Sequence, residues 1–125
     1  MSDERNLVEE SILLSIRDML DSDSYFDPQL IIHINTAFSV LSDLGVGPDD
    51  GFMITGETET WSDYLNYIED NKKIFNMVKS YMVIKVKLLF DTSSMQPSAI
   101  QLMKDEADEY EWRLRTEAEL IKRNS

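Results

Sequence analysis

The sequence predicts an all-α fold: a compact bundle of about four to five helices, with a long C-terminal helix and one ordered loop at residues 45–59. Three observations predict it. Apolar residues recur at three- and four-residue steps through most of the longer segments, which puts them on one face of a helix. Pro28 and Pro97 stand where a helix can begin, because a first-turn residue needs no backbone N–H. Three of the four glycines fall between Gly45 and Gly51, in one stretch of turn chemistry.

The first helix is expected from about Leu7 to Leu20, with Val8, Ile12, Ile16, Met19 and Leu20 as its stripe and Glu9 and Glu10 in its first turn. The polar run Asp21-Ser22-Asp23-Ser24 ends it. Asp27 is the expected N-cap of a second helix and Pro28 its first residue. Leu30, Ile31, Ile34, Phe38, Leu41 and Leu44 repeat along it, and Gly45 is its natural C-terminal stop. Phe52 to Glu59 reads as ordered loop with one β-like piece that pairs on assembly. Thr60 and Asp63 form a variant capping box for a short third helix, whose face is Trp61, Leu65 and Ile68. A fourth helix, Lys72 to Phe90, is apolar nearly all round and so should be central. After the linker Asp91–Gln96 comes the last helix, Pro97 to Ile121, about 37 Å long at about 1.5 Å per residue. Its heptad seam is Ile100, Met103, Ala107, Tyr110 and Leu114, broken by Glu117 and resumed by Ile121.

The 125 residues, 42% hydrophobic, suit a single domain spanning 1–125, with flexible ends at 1–6 and 122–125. The absence of cysteine excludes disulfides, thiolate zinc sites and cysteine nucleophiles. Met1–Asn6 reads MSDERN, unlike the start of a secretory signal, and the apolar stretch 77–90 is too short and too charged to span a bilayer. Neither secretion nor a membrane is expected. The net charge is −12. Between Arg17 and Lys72 there is no Lys or Arg, and that gap holds 12 of the 24 acids. So acidic a chain does not grip nucleic acid through its phosphates. The gap is either a solvated face or a surface that repels DNA or meets a basic partner.

No catalytic constellation is present, so no enzyme, cofactor or metal is expected. His33, the single histidine, lies among Ile31, Ile32 and Ile34 and reads as a packed or surface residue. Asp21, Asp23 and Asp27 begin like a calcium loop, but Phe26 and Ile32 stand where glycine and glutamate are needed. They read as residues that cap and separate two helices. The glycines at 45, 47 and 51 lack the Gly-Lys-Ser/Thr of a phosphate loop. Met77, Met82, Met95 and Met103 read as core filler. Trp61 reads as core, and Tyr64 and Tyr67 each as either core or interface. Trp112 falls off the heptad seam and is the better interface candidate than Tyr110 on it.

Several segments together resemble the head–tail connector, or adaptor, proteins of tailed bacteriophages. They are Ile31-Ile32-His33-Ile34-Asn35-Thr36-Ala37-Phe38 running on to Leu44-Gly45-Val46-Gly47-Pro48, then Thr60-Trp61-Ser62-Asp63-Tyr64-Leu65, Lys85-Val86-Lys87-Leu88-Leu89-Phe90-Asp91 and Glu111-Trp112-Arg113-Leu114. The resemblance spans roughly Leu7 to Glu119. It implies a virion structural protein, made in the host cytoplasm and placed at the head–tail junction. Such proteins form a homo-oligomeric ring, typically a dodecamer, beneath the portal protein. The ring extends the DNA channel and meets the next head-completion or tail-side protein. On that analogy Trp112, Arg113, Arg115, Phe52, Ile54 and Tyr64 would form interfaces. Asp49, Asp50, Glu57 and Glu59 would line the channel, where DNA passes without specific binding. The alternative from another class is an acidic DNA mimic that blocks a DNA-binding enzyme.

Overall fold

Ser11 begins the first helix. Its hydroxyl accepts the Leu14 N–H at 3.2 Å, and helix α1 runs Ile12–Met19. The helix expected from Leu7 to Leu20 is therefore not continuous through Glu10 and Ser11. Glu10 precedes the cap, because its backbone carbonyl accepts the Trp61 N–H (3.2 Å), while Ile12 N–H donates to the Glu59 carbonyl (3.0 Å). These two bonds make an antiparallel bridge between Ser11 and Thr60. The computed structural model describes residues 10–65 and 72–123, so Leu7, Val8, Glu9, Tyr67, Ile68 and the flexible ends expected at 1–6 and 124–125 lie outside the described residues.

A 3-10 turn, Ser24–Phe26, leads into α2, Asp27–Asp43. Asp23 caps the turn, accepting Tyr25 N–H at 2.8 Å. Asp27 is the first helical residue rather than the cap; its carboxylate instead takes the Arg17 guanidinium at 2.6 Å, which ties α1 to α2. Two of the aspartates in the calcium-like run thus serve helix boundaries. The C-terminus of α2 closes as a Schellman motif. Val46 N–H reaches the Leu41 carbonyl (2.9 Å) and Gly45 N–H the Ser42 carbonyl (3.0 Å). Gly45 adopts φ +91°, a conformation in which a Cβ would clash with the backbone.

The loop then crosses the body of the protein. The Asn35 side-chain amide holds both polar groups of the buried Ile54 backbone: Ile54 N–H donates to Oδ1 (2.8 Å) and Nδ2 donates to the Ile54 carbonyl (3.0 Å). A side chain of α2 thus acts as the neighbouring strand that the β-like piece was expected to find on assembly. The capping box forms in both directions. Thr60 N–H donates to Asp63 (2.9 Å) and Asp63 N–H to the Thr60 hydroxyl (3.3 Å), opening the short helix α3, Trp61–Leu65. The Trp61 indole is fully buried and donates to Ser15 at 2.8 Å.

Helix α4, Lys72–Phe90, packs against α1, α2 and α5 and is the central helix, as its all-round apolar pattern predicts. Helix α5, Pro97–Arg123, lies antiparallel to it. Lys73 pairs with Glu117 (2.7 Å), the Tyr81 hydroxyl donates to Glu111 (2.7 Å), and Lys85 approaches the same carboxylate at 3.8 Å. Burial, then the bond to Glu111, pushes the Tyr81 hydroxyl above its ordinary value. Ala107 and Leu114 are buried as the heptad requires. Glu117 does not break the seam, because Ala118 takes the buried position beside it. Lys122 and Arg123 are helical rather than a loose end. Five α-helices and no strand are found among the described residues. The fold is the all-α bundle with a long last helix.

Candidate interaction surfaces

Three surfaces carry exposed apolar side chains. The first is the outer face of α5. Ala107, Leu114 and Ala118 turn inward, so Trp112 turns out and is 68% exposed. Arg113 and Arg115 flank it and are exposed; Arg113 makes one long pair with Glu109 (3.6 Å), and Arg115 makes no ion pair among the described residues. A notch of about 130 Å³ beside the indole is lined by Lys73, Met77, Arg113, Thr116 and Glu117. An exposed tryptophan flanked by arginines is the composition that dominates binding hot spots.

The second is a groove of about 510 Å³ between α2 and residues 50–53 of the loop. Ile32, Thr36, Ser39 and Asp43 follow one another at helical steps along its floor, opposite the buried Leu30, Ile34, Phe38 and Leu41. Asp50, Phe52 and Met53 form the other wall. Ile32 and Met53 are exposed, and no Lys or Arg lines the groove.

The third was not singled out from the sequence. Tyr25 and Phe26, on the turn before α2, pack edge to face (5.1 Å between centroids), and Phe26 packs on Phe90 at 5.7 Å. His33 adds its ring at 6.2 Å from Phe90. Tyr25 is 77% exposed, and Met19 and Leu89 are also exposed. The available signal was two adjacent aromatics inside the polar run Asp-Ser-Asp-Ser-Tyr-Phe-Asp, off every helical stripe.

Two of the expected interface residues belong elsewhere. Ile54 and Tyr64 are each 1% exposed, inside the core of the single chain, and present no surface to a partner in this conformation. Asn35 holds Ile54 in place, and Tyr64 packs on Phe38 (4.9 Å) and Phe52 (5.2 Å). Burial pushes the Tyr64 hydroxyl above its ordinary value, and that hydroxyl has no hydrogen-bond partner among the described residues. Gly47 lies against it: a Cβ there would stand 3.1 Å from the phenol, and its φ is +96°. Phe52 is half-buried, one face on the core and one edge in the groove.

Of the expected channel residues, Asp49, Asp50 and Glu57 are exposed. Glu59 is turned back on its own loop. Its carboxylate accepts the Thr55 N–H (3.0 Å) and hydroxyl (2.8 Å) and the Gly56 N–H (3.4 Å). Partial burial raises its pKa, but these hydrogen bonds outweigh that and leave it below the ordinary carboxylate value. Asp23, Asp63 and Asp91 likewise accept backbone N–H groups, so much of the acidity is local capping rather than one phosphate-like face. No described helix is long and apolar enough to cross a membrane.

Compared with known families, residues 12–120 match the family model described as phage connector protein. Neither the curated proteins nor the solved structures give a match.

Proposed function

Because the chain belongs to the phage connector protein family, we propose that it assembles as a homo-oligomeric ring beneath the portal of a tailed phage, extending the DNA channel and joining head to tail. Its role is structural rather than catalytic, and its site of action is the head–tail junction of the virion. The observation that carries the proposal is the family match over residues 12–120 together with what α5 offers: a tryptophan 68% exposed beside Arg113 and Arg115. A side chain of that size in water lowers solubility and is commonly retained for a partner.

The acidic segment has a use in this role. Asp49, Asp50 and Glu57 are exposed on the loop side of the molecule. Set toward a lumen, they repel phosphate, and DNA slides past without being held. The tail-side ring and the portal are the partners that a twelve-fold arrangement would meet on its two faces.

Quantitative mass spectrometry of purified virions tests the reading. A copy number like the portal's is expected. Abundance in infected cells with absence from virions would overturn it.

A further inference from the structure

We infer that, within the ring proposed above and resting on that reading, the Trp112 face of one copy seats in the α2 groove of the next copy. Three observations support a second copy as the occupant. The first is charge. The groove carries Asp43 and Asp50 and no base. It cannot be neutralised from its own elements, since no Lys or Arg occurs between Arg17 and Lys72. Beside the protruding Trp112, α5 carries Arg113, which makes one long pair with Glu109 (3.6 Å), and Arg115, which makes no ion pair among the described residues. In a chain of net charge −12 these two guanidiniums are exposed beside the indole.

The second is shape and polarity. The indole of Trp112 protrudes, whereas the groove of about 510 Å³ is flanked by the exposed Ile32 and Met53. An aromatic in such a cleft, with arginines reaching the acids that line it, removes three exposed apolar side chains from water together. The third is topology. Helix α4 packs on both α2 and α5, and the chain just past α2 meets α5 where Gly45 lies beside Ala118. The outer face of α2, opposite its buried Leu30, Ile34 and Leu41, and the outer face of α5, opposite its buried Ala107 and Leu114, are two distinct surfaces. A contact between two unlike faces is heterologous. It repeats head to tail and generates a ring when the rotation closes. It also relieves the mutual repulsion of identical acidic chains by placing Arg113 and Arg115 of each against the acidic groove of its neighbour.

The chain has no cysteine, so engineered thiols report without background. Met53→Cys and Thr116→Cys are placed in one chain, incorporated into virions and treated with a short bis-maleimide. A ladder extending beyond the dimer is expected, with each single-cysteine chain remaining a monomer. A chain present at portal-like copy number, with both thiols reactive to a maleimide dye yet only monomer after cross-linking, overturns this contact and leaves the ring reading standing. A copy number far below the portal's overturns the ring reading and the contact with it.

Charge reversal decides the matter should the cysteine chain stay out of virions. Arg113→Glu with Arg115→Glu, or Asp43→Lys with Asp50→Lys, should each lower incorporation about tenfold or more, and both pairs in one chain should restore it. Incorporation unchanged by either pair overturns the contact.

Discussion

Two aromatic clusters flank α2, alike in geometry and opposite in exposure. Phe38, Phe52 and Tyr64 pack with centroids 4.9 to 5.2 Å apart, and two of the three are fully buried. Tyr25, Phe26 and Phe90 pack at 5.1 and 5.7 Å, yet Tyr25 and Phe26 are exposed. Ring stacking is therefore not what makes a core. The difference is the chain laid over the first cluster. Phe38 lies on the inward stripe of α2, the Asn35 clamp fixes the loop across it, and α3 delivers Tyr64 from the other side. Nothing among the described residues covers Tyr25 in the same way. The loop whose β-like piece was expected to pair on assembly is, for its middle third, part of the core of the single chain.

The largest effect that sharpens this contrast is Tyr64→Ala. Emptying a buried aromatic site costs about 3–5 kcal/mol. Urea denaturation should show the loss, and a change below about 1 kcal/mol would mean that the loop cluster is as dispensable as the surface one. Tyr64→Phe is the control. It keeps the ring and removes a buried hydroxyl that has no partner among the described residues, so stability should be unchanged or higher.

Next is the clamp. Asn35→Ala leaves the Ile54 N–H and carbonyl without their partner at a residue 1% exposed. About 2 kcal/mol or more is expected, since one unsatisfied buried group already costs about 1–3 kcal/mol. Amide exchange at Ile54 and Thr55 should rise with it. Protection as in the parent would show that the loop is held by Phe52 and Ile54 packing alone.

Smaller and local is the response to acid. Glu59 has a folded-state pKa below its ordinary value of 4.5 because Thr55 and Gly56 hydrogen-bond its carboxylate, against the upward push of burial. The group is more easily ionised folded than unfolded. Its contribution is present above the unfolded pKa and is lost as pH falls through the folded one. Protection of the Thr55 and Gly56 amides, relative to their intrinsic exchange rates, should fall below about pH 4.5, and Glu59→Gln should flatten that dependence. An unchanged profile in the variant would assign the transition to another carboxylate.

How much was legible follows from how far apart the cooperating residues are. The capping box of Thr60 and Asp63, the glycine stop at 45 and the all-round apolar α4 depend on neighbours within a turn or two, and each was readable. The heptad seam of α5 was readable too, and Trp112 stood out because it missed that seam. Glu117 misled because periodicity counts positions and not volumes; Ala118, one residue on, fills the seam. The burial of Ile54 and Tyr64 was not readable. It depends on an asparagine 19 residues upstream and on a glycine that lets the chain approach a phenol. The α2 groove was hidden for the same reason, being built from two segments with no shared period. The break at Glu10 and Ser11 was not readable because Glu10 and Ile12 bond to residues 59–61 across the fold, which no local pattern encodes.

The smallest effect on stability should come from the exposed aromatics, and this is where folding and assembly separate. Tyr25→Ala and Trp112→Ala each truncate a side chain that is mostly in water, so each should change stability by only about 0.5 kcal/mol or less. Assembly should tell them apart. Trp112 stands at a face that carries both an apolar anchor and the arginines to match an acidic groove, whereas Tyr25 stands beside Asp21, Asp23 and Ser24, and Arg17 is already bound to Asp27. If the subunit contact runs through α5, Trp112→Ala yields a folded chain with weakened ring incorporation, and Tyr25→Ala incorporates normally. Normal assembly by Trp112→Ala with failure by Tyr25→Ala would invert that assignment and make the open aromatic cluster, rather than the outer face of α5, the surface on which copies meet.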